Sequence, residues 1–492
     1  MPFGELSRLA AITPERAKTI RARVLAARYG EREPLPPETT STTLMPEELR
    51  VPLVRWSLER DTHPAAGLAL LFQHLLPVRR AQVERALGAD AIGWLVDAGL
   101  IAERDGTLEP RFRLVVADDV FIWCDEANAG PDAVMTPGPT TADLIALIPT
   151  PVGGSVLDIG TGPGTLALVA ARRGATRVVA TDISERAIAL TRFNAAFNEI
   201  PLEVRLGDLY APVSTERFDW IMAQPPYVTH PADEPGVTFL HGGAMGDELA
   251  MAVLEGVDAH LRKRGVAMVL FDSPVRPDAS LEARVRGAVG PNVDVATFSQ
   301  PGLHPDRQAL GYASLADPTF GRRYEETAVR YRAHLHAKRI SEVTHSLVVV
   351  RAPDRPEHSA WTAALTVARF PEEWSELSGF MRGIDLAATG EDALATARVR
   401  PRPGAMIVIE REPGAARDRE TRSIRFATAN IALDRELTQA GGVIFDLLAA
   451  ESSVASAIDR FAAAMERPPS EVRPLVTSFV RDCLVRALLV PD

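Results

Sequence analysis

An α/β fold is predicted for the middle of this chain, and three stretches predict it. Residues 153–182, GGSVLDIGTGPGTLALVAARRGATRVVATD, open with the apolar run Ser155-Val156-Leu157, reach Asp158 and turn through Gly160-Thr161-Gly162-Pro163-Gly164. Leu166, Val169 and Ala170 follow at near-helical spacing up to Gly174, and the run Arg177-Val178-Val179-Ala180-Thr181 delivers Asp182. The pattern is a strand, a glycine loop, a helix and a second strand tipped by an acid. The second stretch, Leu206-Gly207-Asp208-Leu209, is a strand end carrying another acid. In the third, the buried-strand pattern Phe218-Asp219-Trp220-Ile221-Met222-Ala223 runs straight into Gln224-Pro225-Pro226-Tyr227.

The flanks follow in order. With 492 residues the chain has room for several domains. Residues 1–33 read as helix, with Leu6, Leu9, Ile20, Val24 and Leu25 among arginines, and 34–46 as a proline- and threonine-rich connector. Helical patterns at 66–72, 79–86 and 91–98, a turn at Asp105-Gly106 and a strand-like 111–116 look like a winged helix. Such a unit either grips DNA or serves as a scaffold. A formal charge of −11 favours the scaffold, because nucleic-acid binding usually leaves a basic footprint. Beyond the third stretch, the glycine-rich 241–247 precedes a helix at 248–261 and a strand at 266–271. Val293–Phe298 and Ser346–Val350 read as the last two strands. The insertion between them holds a helix at 322–339 with Tyr324, Tyr331, His334 and His336, either a lid or a solvated amphipathic face. After Pro353, strands at 406–410 and 423–427 and helices at 442–450, 454–465 and 470–490 form a separate unit. The expected domains are thus 1–130, 131–353 and 354–492. Two distant cysteines, Cys124 and Cys483, offer neither a disulfide framework nor metal-ligand spacing, and a reducing cytoplasm fits. No apolar run reaches membrane-spanning length, and the first thirty residues are not signal-like.

Taken together, the GxGxG spacing, the acids after it and QPPY resemble class I S-adenosylmethionine (SAM) methyltransferases over 134–353. The group resembled is the small-methyltransferase one, which includes protein-glutamine and ribosomal-RNA guanine N-methyltransferases. That resemblance implies a Rossmann-like, seven-stranded core and SAM as cofactor. It implies that Gly160, Thr161, Gly162 and Gly164 bring the backbone to the cofactor while Asp158 steadies the loop. Asp182 would take the ribose hydroxyls, Ile183 would pack on the adenine, and Asp208 and Leu209 would hold the adenine edge. Val134 to Thr141 resembles the loop that covers the cofactor in protein-glutamine methyltransferases, with Gly138 and Thr140 in place of the usual arginine and glutamate. The tail, with its GGVIFDLL helix, resembles the PqqD-like peptide-recognition domains of ribosomal-peptide biosynthesis.

QPPY resembles the (N/D/S)PPY signature of methyltransferases that act on amino nitrogens. There the polar side chain and the first proline carbonyl accept both hydrogens of an NH₂ group, and the aromatic ring borders the target. Gln224, Pro225, Pro226 and Tyr227 are accordingly the catalytic candidates, with Gln224 also touching the cofactor side. Prolines fix the backbone, so the acceptors are aimed in advance. Gln224 adds a methylene, moving the carbonyl by about a bond length, a large change for such geometry. An aliphatic amine therefore joins the planar amide and the ring amine as an acceptor, with His230, Asp233 and His241 as candidates to take its proton. The expected activity is a cytoplasmic SAM-dependent N-methyltransferase acting on a peptide or a peptide-derived natural product, close to the amine methyltransferases of daptide-type pathways. Self-association as a homodimer is left open. The rival readings are ribosomal-RNA guanine methylation, protein-glutamine methylation, and a non-catalytic regulator that senses SAM.

Overall fold

The computed structural model describes residues 6–30, 47–126, 130–317, 319–353, 360–411, 420–426, 431 and 435–492, so the expected connector at 34–46 lies outside the described residues. Its centre is a mixed sheet built from β1 (Ser155–Ile159), β2 (Arg177–Asp182), β3 (Glu203–Leu206), β4 (Phe218–Ala223), β5 (Leu261–Val275), β6 (Asp294–Ser299), β7 (Glu342–Arg351) and β8 (Thr362–Thr366). Their spatial order is β8-β6-β7-β5-β4-β1-β2-β3. Every adjacent pair is parallel except the two made by β7, which runs antiparallel to β5 and to β6. The chain winds outward from β1 to β3 and then returns to β4 on the other side of β1. Such a reversal opens a crevice at the carboxyl ends of the strands, where α/β proteins bind ligands.

Alternation along the strands fills two separate cores. Val156, Met222, Met268, Leu270, Phe298, Leu347 and Val349 face one side. Leu157, Ile221, Val269, Phe271, Val295 and Val348 face the other, under helices Glu248–Glu255 and Leu281–Val289. Near-continuous apolar strands are what a sheet covered on both faces requires.

The sheet has eight strands rather than seven, because it continues past residue 353. Strand β8 pairs in parallel with β6, from Val295↔Thr362 to Ser299↔Thr366. The helix Trp374–Ala387 then lies across the first sheet face, with Phe380 edge-on to Phe298 at 5.4 Å and Trp374 to Trp220 at 4.8 Å between ring centroids. Arg351, on β7, spans Asp294 and Asp385 at 3.0 and 2.9 Å, fastening sheet to tail. The boundary expected at 353/354 therefore falls inside the central packing unit. Beyond it, Ala405–Arg411, Glu420–Phe426 and Arg435–Leu437 form a three-stranded antiparallel sheet, followed by helices Gln439–Glu451, Val454–Ala464 and Pro469–Val485.

At the other end, helices Pro14–Ala26 and Arg80–Asp97 and a small sheet of Val78–Arg79, Ile101–Arg104 and Thr107–Pro110 share a core with Leu190, Phe193 and Phe197 of helix Glu185–Asn198. A hairpin, Arg113–Ala117 with Val120–Cys124, joins this unit to the sheet domain. Asn194 stitches the joint. Its side chain accepts from Trp123 N–H at 2.9 Å and donates to Trp123 O and to Pro163 O of the glycine loop at 2.9 and 2.8 Å. No helix among the described residues is long and apolar enough to cross a membrane.

Candidate active site

A cavity of about 720 Å³ lies at the carboxyl ends of the strands around β1, within the size range of small-molecule sites. Asp158, Gly160, Thr161, Gly162, Asp182, Ile183, Asp208, Leu209, Gln224, Pro225, Pro226 and Tyr227 all line it. Among the thirteen expected cofactor-binding and catalytic residues, Gly164 is the exception. It precedes helix Thr165–Arg172 at φ +89°, and a Cβ there would meet Thr191 Cγ2 at 2.9 Å. Backbone conformation and packing on Thr191 require that glycine, not the cavity.

In the half of the cavity beside β1 and β2, two buried acids shape the loop. Asp158 Oδ2 accepts the Thr161 hydroxyl at 2.6 Å and the Ala167 N–H at 3.1 Å. Burial pushes its carboxyl up to about 6 against the pull of those two bonds. Asp182 accepts from Gly162 N–H at 2.9 Å and from Ser184 N–H at 2.8 Å, and burial raises its pKa too. Gly160 stands at φ +67° with no protein atom within 4 Å of where a Cβ would sit, so its face of the loop is open. Thr165 and Thr181 also line the cavity, and their buried hydroxyls have no partner among the described residues. This wall fits a nucleoside with an amino-acid tail. It has an acid at the strand tip, Asp182, another at Asp208, two buried hydroxyls and an open glycine backbone.

The opposite half is built around Gln224. Pro137-Gly138-Pro139 ends a loop and starts helix Pro139–Leu147 with proline in its first turn. That start directs Thr140 and Thr141 at Gln224, whose Oε1 accepts the Thr141 hydroxyl at 2.9 Å while its Nε2 donates to Thr140. Thr140 also hydrogen-bonds the Tyr227 phenol, which burial pushes up to about 12, so Tyr227 is a neutral ring. The extra methylene of Gln224 thus reaches a pair of threonines on a neighbouring helix. The loop ahead of that helix is held in turn by Asp125, which accepts from Val134 N–H at 2.9 Å and pairs with Arg186 at 2.5 Å.

Of the proton acceptors considered from sequence, only His241 lines the cavity. Both its ring nitrogens are engaged, Nδ1 by Val237 N–H at 3.0 Å and Nε2 by the Tyr331 hydroxyl at 2.8 Å. Burial, with His230 stacked on it at 4.2 Å, pushes its pKa down to about 4. His241 is a strut. His230 and Asp233 are not among the lining residues. The helix read as either a lid or a solvated amphipathic face, Arg322–Ala337, braces this loop through Tyr331 and through His334 Nε2 against Ala244 O at 2.6 Å, and none of its residues lines the cavity.

Residues 138–283 match the family model described as methyltransferase small domain. With the strand order above, that stretch is a class I, Rossmann-like SAM-dependent methyltransferase fold. The chain is 37% identical over 145 residues to a release factor glutamine methyltransferase of Cereibacter sphaeroides, covering 27% of this chain and 51% of that one. A release factor glutamine methyltransferase of Streptococcus pneumoniae is 35% identical over 131 residues, 25% of this chain and 47% of that one. The ribosomal protein L11 methyltransferase of Caldicellulosiruptor saccharolyticus is 44% identical over 71 residues, 14% of this chain and 23% of its own. The chain therefore spans about half the length of these two glutamine methyltransferases and less of the L11 enzyme.

Asp272 and Tyr312 are among the lining residues that escaped the sequence reading. Asp272 directly follows the apolar run 266–271, and an acid just past a buried strand was the available signal. Tyr312 comes from helix Pro305–Ala316, inside a stretch read only as an insertion.

Proposed function

We propose that the chain is a SAM-dependent N-methyltransferase whose acceptor is an amino nitrogen of a peptide or peptide-derived product. The observation that carries this reading is the convergence of the glycine loop, Asp158, Asp182, Asp208 and QPPY on one cavity. In it Asp182 would hold the ribose, Asp208 and Leu209 the adenine edge, and Gly160 and Gly162 the close backbone approach. SAM supplies a methyl carbon whose bond to sulfur breaks with its electron pair left on sulfur. Gln224 Oε1, which keeps one lone pair beyond its bond to Thr141, would orient the acceptor nitrogen while Tyr227 walls it. The threonine contacts to Gln224 and the two prolines keep those acceptors fixed.

The peptide part of the reading is supported by the tail. Strand Ala405–Arg411 pairs, among the described residues, only with Glu420–Phe426, and it exposes Met406 and Ile409. Such an edge can take an added peptide strand. A second reading, methylation of a protein glutamine, is favoured by the names of the relatives at 37% and 35% identity. Incubation with deuterium-labelled SAM and separate peptide, protein and RNA fractions, followed by intact-mass analysis, decides among them. Label on peptide amines is expected. Label confined to glutamine side chains supports the second reading, and label on RNA alone contradicts both.

A further inference from the structure

We propose that the acceptor end of the cavity is a subsite for a protonated aliphatic amine, with Asp272 as its counter-charge and Tyr227 and Tyr312 beside it. The inference rests on the methyltransferase reading above and narrows its acceptor to an aliphatic amine, bound as the ammonium and passing its proton to the Asp272 carboxylate before its lone pair attacks the methyl carbon, rather than an amide.

Charge is the first observation. Five aspartates line the cavity (Asp132, Asp158, Asp182, Asp208 and Asp272), with no lysine or arginine among the lining residues. Asp158 and Asp182 are occupied with the glycine loop, and Asp208 stands at the tip of β3 near them. Asp272 lies apart, on β5 past its last pairing with β4 at Val269↔Ala223, where the strand continues against β7 at Asp272↔His345. Its place in the strand puts it beyond the QPPY end of β4.

The second observation is the company Asp272 keeps. Its carboxylate is hydrogen-bonded by Gln308 Nε2 at 3.1 Å, by His345 Nδ1 at 2.7 Å and by the Tyr312 hydroxyl. These donors fix its orientation; none is a lysine or arginine, and His345 brings a positive charge only when its imidazole is protonated. A carboxylate held in a half-closed cavity without such a partner favours any ligand that brings the cation. Tyr312 and Tyr227 supply the remaining wall. Burial raises both phenols, with the nearby Asp272 charge adding to the effect, so both rings stay neutral beside the carboxylate. Aromatic rings next to an acid are the ordinary surroundings of a bound ammonium group. An amide acceptor carries no charge and could offer Asp272 only an N–H hydrogen bond, whereas an alkylammonium would add an ion pair that offsets part of its desolvation there.

The test uses the full chain saturated with S-adenosylhomocysteine (SAH) and titrated with n-butylammonium or with the neutral probe butyramide. The complex is expected to bind the ammonium at least about tenfold more tightly than the amide, equivalent to about 1.4 kcal/mol. Asp272→Asn should bring the two probes to parity while its SAH affinity stays that of the wild type, which also reports that the variant is folded. Should that variant not fold, the wild-type preference alone still decides. SAH binding with equal affinity for both probes, no saturable ammonium binding, or an unchanged preference in a folded Asp272→Asn overturns the subsite alone. Failure of the wild type to bind SAH overturns the methyltransferase reading and the subsite with it.

Discussion

Gly162 donates its backbone N–H to Asp182 Oδ2 at 2.9 Å, which ties the loop after β1 to the acid at the tip of β2. The carboxylate proposed to hold a ribose thus also sets the loop that would run beside the cofactor. Ser184 N–H takes the other oxygen at 2.8 Å, so the side chain is aimed before any ligand arrives. Preorganisation of this kind removes part of the cost of binding.

The loop glycines divide into two kinds, and substitution should separate them. Gly160→Ala and Gly164→Ala both force a side chain into a positive φ, at about 1–2 kcal/mol each. Gly164→Ala also drives its Cβ into Thr191, so it should lose the greater stability in urea melts. Gly160→Ala should lose SAM affinity out of proportion to stability. Equal behaviour in both assays would contradict the assignment of the two positions.

Asp158 gives a pH dependence whose sign follows from its burial. Its folded-state value, about 6, lies above the ordinary 3.8, so the folded protein holds the extra proton between them. Stability should therefore fall as pH rises through that window, and the cost of the buried charge is fully present above it. Asp158→Asn removes the cost. Without cofactor the variant should be more stable than wild type at pH 7 by up to about 3 kcal/mol, and near parity at pH 4. Urea melts at the two pH values check this, and a difference that does not grow with pH contradicts it.

On the acceptor side, Thr141→Val frees Gln224 Oε1 from its 2.9 Å partner, and Gln224→Ala removes the acceptor altogether. Loss of one aimed group typically lowers turnover by about 10²–10³. Gln224→Ala should show that loss and Thr141→Val a smaller one, both with SAM affinity changed little. Steady-state rates beside calorimetry test this. A parallel fall in rate and SAM affinity would move Gln224 to the cofactor side.

Ending the chain after Pro353 deletes β8 and helix Trp374–Ala387 and uncovers Phe298, Leu347 and Val349. Each such side chain is worth about 1.5–3 kcal/mol of burial, against a total stability of about 5–15 kcal/mol for a domain. The fragment should aggregate or lose SAM binding. A soluble fragment that binds SAM would show that the tail is separable.

Local patterns were readable in the sequence where one residue type solves a local problem. The GxGxG turn, Asp158, Asp182 with Ile183, the Asp208-Leu209 strand end and QPPY are of that kind, and twelve of the thirteen residues inferred from them line one cavity. Gly164 misled because a glycine that avoids Thr191 and one that faces a ligand look alike in a chain. Strand β8 was missed because its partner β6 lies far back in the sequence, so nothing local marks Thr362–Thr366 as the sheet's edge. Tyr312 reaches the site through the packing of an inserted helix. His241 looked like a proton acceptor because no sequence shows that Val237 and Tyr331 already hold both its nitrogens.

Calorimetric titration of SAM into the full chain, wild type beside Asp182→Ala, tests the central claim most directly. The account predicts saturable one-to-one binding by the wild type. It predicts a loss of about 1–3 kcal/mol on removing the Asp182 carboxylate, about 5- to 150-fold in affinity. Absence of saturable binding by the wild type, or an affinity untouched by Asp182→Ala, would contradict it.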